Sequence, residues 1–232
     1  VNGDYELNKR IVKLTGLPRF DRLYNLKDNE EKQILIMPTW RRSFNLLYKN
    51  VDSEESRIAF MQTEYFNFYN KLINDERLLS VMKKYGCTGK FCLHPLHSTK
   101  TDCFDENEVF SVAKGGINYQ ELFTKGALMV TDYSSTFFDF CYLNKPVVYT
   151  QFDRKDFYEG SMYSEGYFKY ERDGFGPICT TYDDTVDKII ESIENDFKID
   201  SVYEARIKNF YAYNDNHNCE RIYNAIRNMN KK

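Results

Sequence analysis

Proline and glycine are scarce, 5 and 11 of 232 residues. A loop-rich or collagen-like scaffold is thereby excluded, and regular elements with short connections are expected. Charge of one sign is not in excess either. Lys and Arg number 32 and Asp and Glu 35, a net charge of −3. The whole-molecule field therefore does not favour nucleic acid, and any anion site has to be local. Long hydrophobic runs are missing. Stretches such as Ala127 to Val130 are strand-sized, and none approaches the roughly 18–20 residues that cross a bilayer. There is no signal-peptide pattern. The G-x-x-x-x-G-K-[ST] phosphate loop, G-x-G-x-x-G and the G-x-S-x-G elbow are all absent. The chain opens on Val1, and the expectation is a domain from a longer polypeptide.

Tyr (19) and Phe (18) are abundant, within 42% hydrophobic and 29% charged residues. That is an ordinary globular composition, enough for one large domain. The six cysteines are scattered, several in apolar segments, and read as free cytosolic thiols. Cys87, Cys92, His94, His97 and Cys103 lie close in sequence, but structural zinc prefers tight paired spacings, so no metal site is expected.

Strand-like and helix-like segments alternate. Tyr5 to Leu14 is helix-like, stopped at Gly16-Leu17-Pro18. Ile34 to Met37 reads as a buried parallel strand ended by Pro38. Helical spacing runs from Glu64 to Lys84 with a break near Asn74-Asp75, and Gly86 stops it. Strands are expected at Lys90 to Leu93, Val109 to Val112, Ala127 to Thr131, Pro146 to Tyr149 and Ile178 to Thr180. Helices are expected at Tyr119 to Lys125, Ser134 to Leu143, Asp183 to Asn195 and Asn216 to Met229. Phe152 to Phe175 reads as irregular. The order predicts a Rossmann-like, doubly wound parallel α/β sheet with helices on both faces.

The strongest local feature is Thr131-Asp132-Tyr133-Ser134-Ser135-Thr136. An apolar strand ends there and a helix begins with hydroxyl residues. Helix N-termini expose unpaired N–H groups that suit phosphate, and the hydroxyls add donors. Capping alone asks for a single Ser or Thr. Thr39 and Arg41 follow another strand end, where Arg41 is placed to fork onto phosphate oxygens; the alternative is a solvated loop charge. His94 closes a third strand, held extended by Pro95. A His there serves as phosphate donor or acid, or else is a half-buried structural residue.

These segments, with Gly16-Leu17-Pro18-Arg19-Phe20-Asp21, Leu93-His94-Pro95, Phe138-Asp139-Phe140, Lys145-Pro146-Val147, Gly174-Phe175-Gly176-Pro177 and Cys219-Glu220-Arg221, resemble the CDP-glycerol glycerophosphotransferase family of teichoic acid primases and polymerases. The resemblance covers nearly the whole chain. It implies the second, donor-binding half of a GT-B-type two-domain transferase. Residues 1–25 would be a linker and lead-in helix from an N-terminal acceptor domain, and residues 26–232 the nucleotide-donor domain with a C-terminal docking helix. The implied reaction moves a polyol phosphate, foremost glycerol phosphate, from a CDP-polyol substrate to a hydroxyl on a polymer or lipid-linked acceptor, releasing CMP. The product would be teichoic acid or a capsule polymer. A GT-B glycosyltransferase using a nucleotide sugar is the alternative.

His94 and Arg41 would be the catalytic residues. Thr39, Glu121, Thr131, Asp132, Ser134, Ser135, Thr136 and Asp139 would hold the donor, with Asp139 on the ribose and Glu121 beside the nucleoside. No cofactor is required by the sequence, and no nucleic-acid partner is implied. The family's W-H-G motif, with its catalytic His, is not found: Trp40 is the only Trp and Arg41 follows it. Asp215-Asn216-His217-Asn218 replaces the usual Asp-Gly before the last motif. The implied location is cytoplasmic, at the inner face of the membrane as a peripheral protein.

Overall fold

The computed structural model describes residues 12–26, 31–41, 53–160 and 166–229. Six parallel strands form one sheet in the order β3-β2-β1-β4-β5-β6. They are β1 (Gln33–Met37), β2 (Thr88–Phe91), β3 (Phe110–Val112), β4 (Gly126–Thr131), β5 (Val147–Thr150) and β6 (Ile178–Cys179). The chain winds outward from β1 to β3, then returns to place β4 on the other side of β1. Strand order therefore reverses between β1 and β4, and ligands of open α/β sheets bind at the carboxyl ends beside such a reversal.

Both faces of the sheet are covered, as near-continuous apolar strands require. Alternation along β1 divides the core. Ile34 and Ile36 face a cluster with Tyr69, Leu72, Leu78, Met82 and Ile189. Leu35 and Met37 face another with Phe20, Leu23, Phe137, Phe140 and Tyr142. The first cluster is closed by helices Glu64–Ile73, Glu76–Tyr85 and Tyr182–Glu194. Asp75 caps the second of these through the N–H groups of Arg77 and Leu78, which explains the break between them. Gly86 ends it at φ 68°, left-handed backbone that suits glycine.

Several expectations move. The Tyr5 to Leu14 helix falls largely outside the described residues, and the backbone from Val12 to Leu17 forms no regular element. The second strand is Thr88–Phe91, two residues earlier than expected at each end; Cys92 N–H still bonds Ile36 O, but Pro95 then starts a 3₁₀ stretch, Pro95–Cys103. The segment from Phe152 to Phe175 is not all irregular. It holds helices Arg154–Gly160 and Tyr170–Asp173, whose aromatic side chains pack inward at a spacing too short to read as periodic. Helices Glu54–Met61 and Ser201–Phe210 carry a weak apolar pattern and were not anticipated.

Candidate functional site

The loops after β1, β4 and β5 meet at the strand-order reversal. Thr131, the last residue of β4, donates its hydroxyl to Met37 O at 2.6 Å, fastening the ends of β1 and β4. Asp132 is fully buried. Its Oδ1 accepts from Thr39 N at 2.7 Å and from Tyr133 N at 2.6 Å. Its Oδ2 lies 2.8 Å from Arg41 Nη2. One carboxylate thus holds the backbone of two strand-end loops at once.

Arg41 is buried too. Nε donates to Asp153 Oδ2 at 2.7 Å, Nη2 to Asp153 Oδ1 at 3.1 Å and Nη1 to Thr39 O at 2.7 Å. The rings of Tyr65, Tyr133 and Phe157 surround the guanidinium at 5.0–5.3 Å. Burial disfavours its charge, but the carboxylates of Asp132 and Asp153 outweigh that and hold its pKa above the ordinary value. Every guanidinium nitrogen of Arg41 is engaged within the fold.

The structure thus brings Thr39, half-buried, together with buried Arg41, Thr131 and Asp132 as a floor. Ser134, Ser135 and Thr136 stand on its solvent side. Ser134 Oγ and Thr136 Oγ1 are 2.8 Å apart, and Thr136 N donates to Ser134 Oγ at 3.3 Å. Ser135, just before helix Thr136–Cys141, makes no side-chain capping bond and is exposed. A single hydroxyl serves the helix end, and Ser135 is left facing solvent.

His94 follows β2, the neighbour of β1, and is exposed. Its Nδ1 accepts from Leu96 N at 3.3 Å. An accepting Nδ1 leaves the proton of the neutral ring on Nε2. Partial desolvation lowers its pKa, favouring that neutral form. Glu121 sits exposed in the first turn of helix Tyr119–Lys125. That helix runs back toward the amino end of β4, so its first turn lies at the carboxyl edge of the sheet. Asp139, one turn into its helix, has both oxygens 2.9 Å from Arg19 Nε. Burial raises the Asp139 pKa, and Arg19 offsets this only in part.

Two participants escaped the sequence reading. Asp153 stands just beyond the end of β5, as Asp132 does after β4, and that shared position was the available signal. Arg19 was legible only as part of a motif; its partner is 120 positions away.

The motifs at the two ends of the chain form a corner of their own. Asp21 accepts from Asn218 N at 2.8 Å, Asn218 Nδ2 at 2.6 Å and Cys219 N at 2.8 Å, capping helix Asn218–Met229. Burial acts to raise the Asp21 pKa, but these donors win and lower it to about 2. Arg221 clamps Asp215 with both terminal nitrogens, at 2.9 and 2.8 Å. Gly16 lies against Asn218 at φ +77°, where a Cβ would come within 1.7 Å of Asn218 Oδ1.

The fold and this edge define a Rossmann-like α/β domain with a candidate phosphate-binding turn where the strand order reverses. The profile of the CDP-Glycerol:Poly(glycerophosphate) glycerophosphotransferase family matches residues 1–228, and the chain belongs to that family. It is 38% identical over 228 residues to the minor teichoic acid biosynthesis protein GgaB of Bacillus subtilis (strain 168), covering 97% of this chain and 24% of that protein. It is 24% identical over 238 residues to the teichoic acid poly(glycerol phosphate) polymerase of the same organism, covering 96% of this chain and 29% of that one. Among solved structures, the wall teichoic acid polymerase TagF matches with a TM-score of 0.62 at 18% identity, covering 94% of this chain and 51% of that chain. The chain therefore spans about a quarter of these curated relatives.

Proposed function

We propose that this domain binds CDP-glycerol and takes part in transferring glycerol phosphate from it to an acceptor hydroxyl in teichoic acid synthesis, with CMP leaving. The observation that carries the reading is the turn Ser134-Ser135-Thr136. It stands over the Asp132 seam where strand order reverses, in a chain of this family. A TagF structure was obtained after soaking with CDPG, which supports the same donor here.

In the proposed reaction the acceptor oxygen attacks the β-phosphorus, the bond to the CMP oxygen breaks, and the acceptor proton passes to a base. Such chemistry depends on positioning and charge neutralisation more than on covalent help. Ser134, Ser135 and Thr136 would receive the diphosphate. Thr39, Arg41, Thr131 and Asp132 would hold the turn in place from below. His94 would present Nε2–H to the transferring phosphate. Glu121 and Asp139 would border the nucleoside.

The base and the acceptor site would come from an N-terminal domain, making this chain the donor half of a GT-B-type pair joined through residues 1–25. A role in capsule polymers and a peripheral position at the inner membrane face belong to the same proposal; among the described residues no helix is long and apolar enough to cross a membrane. Calorimetry with CDP-glycerol, CMP and UDP-glucose tests the reading. Binding of the cytidine nucleotides in preference to UDP-glucose is expected. Failure to bind any cytidine nucleotide, or preference for the nucleotide sugar, overturns it.

A further inference from the structure

The floor beneath the Ser134–Thr136 turn has no positive charge to spare. Arg41 is matched by two buried carboxylates, and its nitrogens are all engaged. A diphosphate brings more negative charge to that edge, so its counter-charge has to come from elsewhere.

Arg19 has the chemistry and the position. It opens helix Arg19–Asn25, whose backbone is pinned by buried Phe20 and Leu23 and by the stacking of Phe20 on Tyr142 at 4.1 Å. Only Nε is engaged in hydrogen bonding, with the two Asp139 oxygens at 2.9 Å each. The terminal nitrogens, Nη1 and Nη2, make no hydrogen bond among the described residues, and the side chain is 52% exposed. Asp139 lies four positions after Ser135, so the two share a helix face with Cβ atoms about 5–6 Å apart. The guanidinium held at Asp139 is therefore anchored to the helix face that carries the exposed Ser135. On its other side, Arg19 O accepts from Gln120 Nε2 at 3.3 Å, beside Glu121.

We propose that Arg19 is the donor-binding arginine of this domain, its free terminal nitrogens forking onto a diphosphate oxygen while Asp139 fixes its direction. The assignment rests on the cytidine-diphosphate reading of the site. Two parallel N–H groups on a planar cation match a phosphate edge, and Nε stays on Asp139 while they do so. The competing role is a surface tether between two helices, which has no bearing on phosphate.

The test uses the protein at its full natural length. Affinities for CDP-glycerol and for cytidine are measured in the parent, Arg19→Gln and Arg19→Lys, together with their thermal midpoints. Arg19→Gln should lose about ten- to a hundredfold in CDP-glycerol affinity and little for cytidine, which has no phosphate. Arg19→Lys, keeping charge without the fork, should fall between. It also serves if Arg19→Gln does not fold. Unchanged CDP-glycerol affinity in either folded variant, or equal losses for both ligands, overturns the proposal and leaves a tether. A parent protein that binds no cytidine nucleotide sinks the underlying reading of the site instead, and this assignment with it.

Discussion

Arg41 donates to both carboxylate oxygens of Asp153, Nε to Oδ2 at 2.7 Å and Nη2 to Oδ1 at 3.1 Å. The same Nη2 is 2.8 Å from Asp132 Oδ2. One cation thus ties the ends of β1, β4 and β5. Removing it would leave two carboxylates buried together. Arg41→Ala is expected to cost about 3–5 kcal/mol of stability, the usual range for breaking a buried pair from one side. Urea denaturation checks this. A variant with parental stability and weakened nucleotide binding would instead make Arg41 a phosphate ligand.

Ser134 and Ser135 divide their labour. Ser134 Oγ receives the Thr136 N–H, whereas Ser135 makes no cap bond. Replacing both with Ala should weaken diphosphate binding by about 1.5–3 kcal/mol per charge-assisted bond lost. Fold stability should drop by only about 1 kcal/mol, the value of a cap. Equal CDP-glycerol affinity in mutant and parent would reduce both residues to capping.

His94 presents Nε2–H while its Nδ1 is occupied by Leu96 N–H. His94→Ala in the full-length protein should lower turnover by roughly 10²–10⁴-fold with donor affinity retained. Protonation at Nδ1 breaks the Leu96 bond, so the contribution of His94 should be present at neutral pH and decline in acid. Turnover that rises toward acid would point to the imidazolium as a proton donor. A folded His94→Ala with normal turnover would remove His94 from the chemistry.

His97 is buried against Phe60, with ring centroids 6.2 Å apart. Burial first, then the positive charges of His94, Lys100 and Arg41, pushes its pKa down to about 4 from 6.5. Between these values the unfolded chain takes up a proton that the folded chain refuses. The stability from this site is full above about pH 6.5 and is lost as pH falls toward 4, about 3 kcal/mol in all. His97→Phe should flatten that part of the pH–stability curve. A parental slope in the variant would assign the acid sensitivity to other groups.

Most of the sheet was legible because buried strands are short apolar runs closed by Pro, Asp or Gly. Ile34 to Met37 and Ala127 to Thr131 show this, each within one residue of the observed strand. The hydroxyl run at Ser134 to Thr136 was visible for a similar reason: its residue types exceed what a cap needs. Helix Arg154–Gly160 was not legible, since its order depends on rings such as Phe157 stacking on Tyr133 at 3.8 Å. That contact lies across the fold from the viewpoint of the sequence.

By itself the sequence determined the alternation of strand and helix, the parallel sheet and the positions of strand-end polar residues. These follow from local periodicity, turn chemistry and burial. Which of those residues face solvent and which hold the floor was decided only by tertiary structure. Thr131, Asp132 and Arg41 stand among the polar residues of strand ends just as Ser135 does. Yet Asp132 spends its oxygens on Thr39, Tyr133 and Arg41, while Ser135 remains exposed. The pairing of Arg19 with Asp139 and of Asp21 with Cys219 joins residues 120 and 198 positions apart. Partners so distant are chosen by how the helices dock on the sheet. No local rule reaches them, because a hydrogen bond depends on a few ångströms of separation in space and not on separation along the chain.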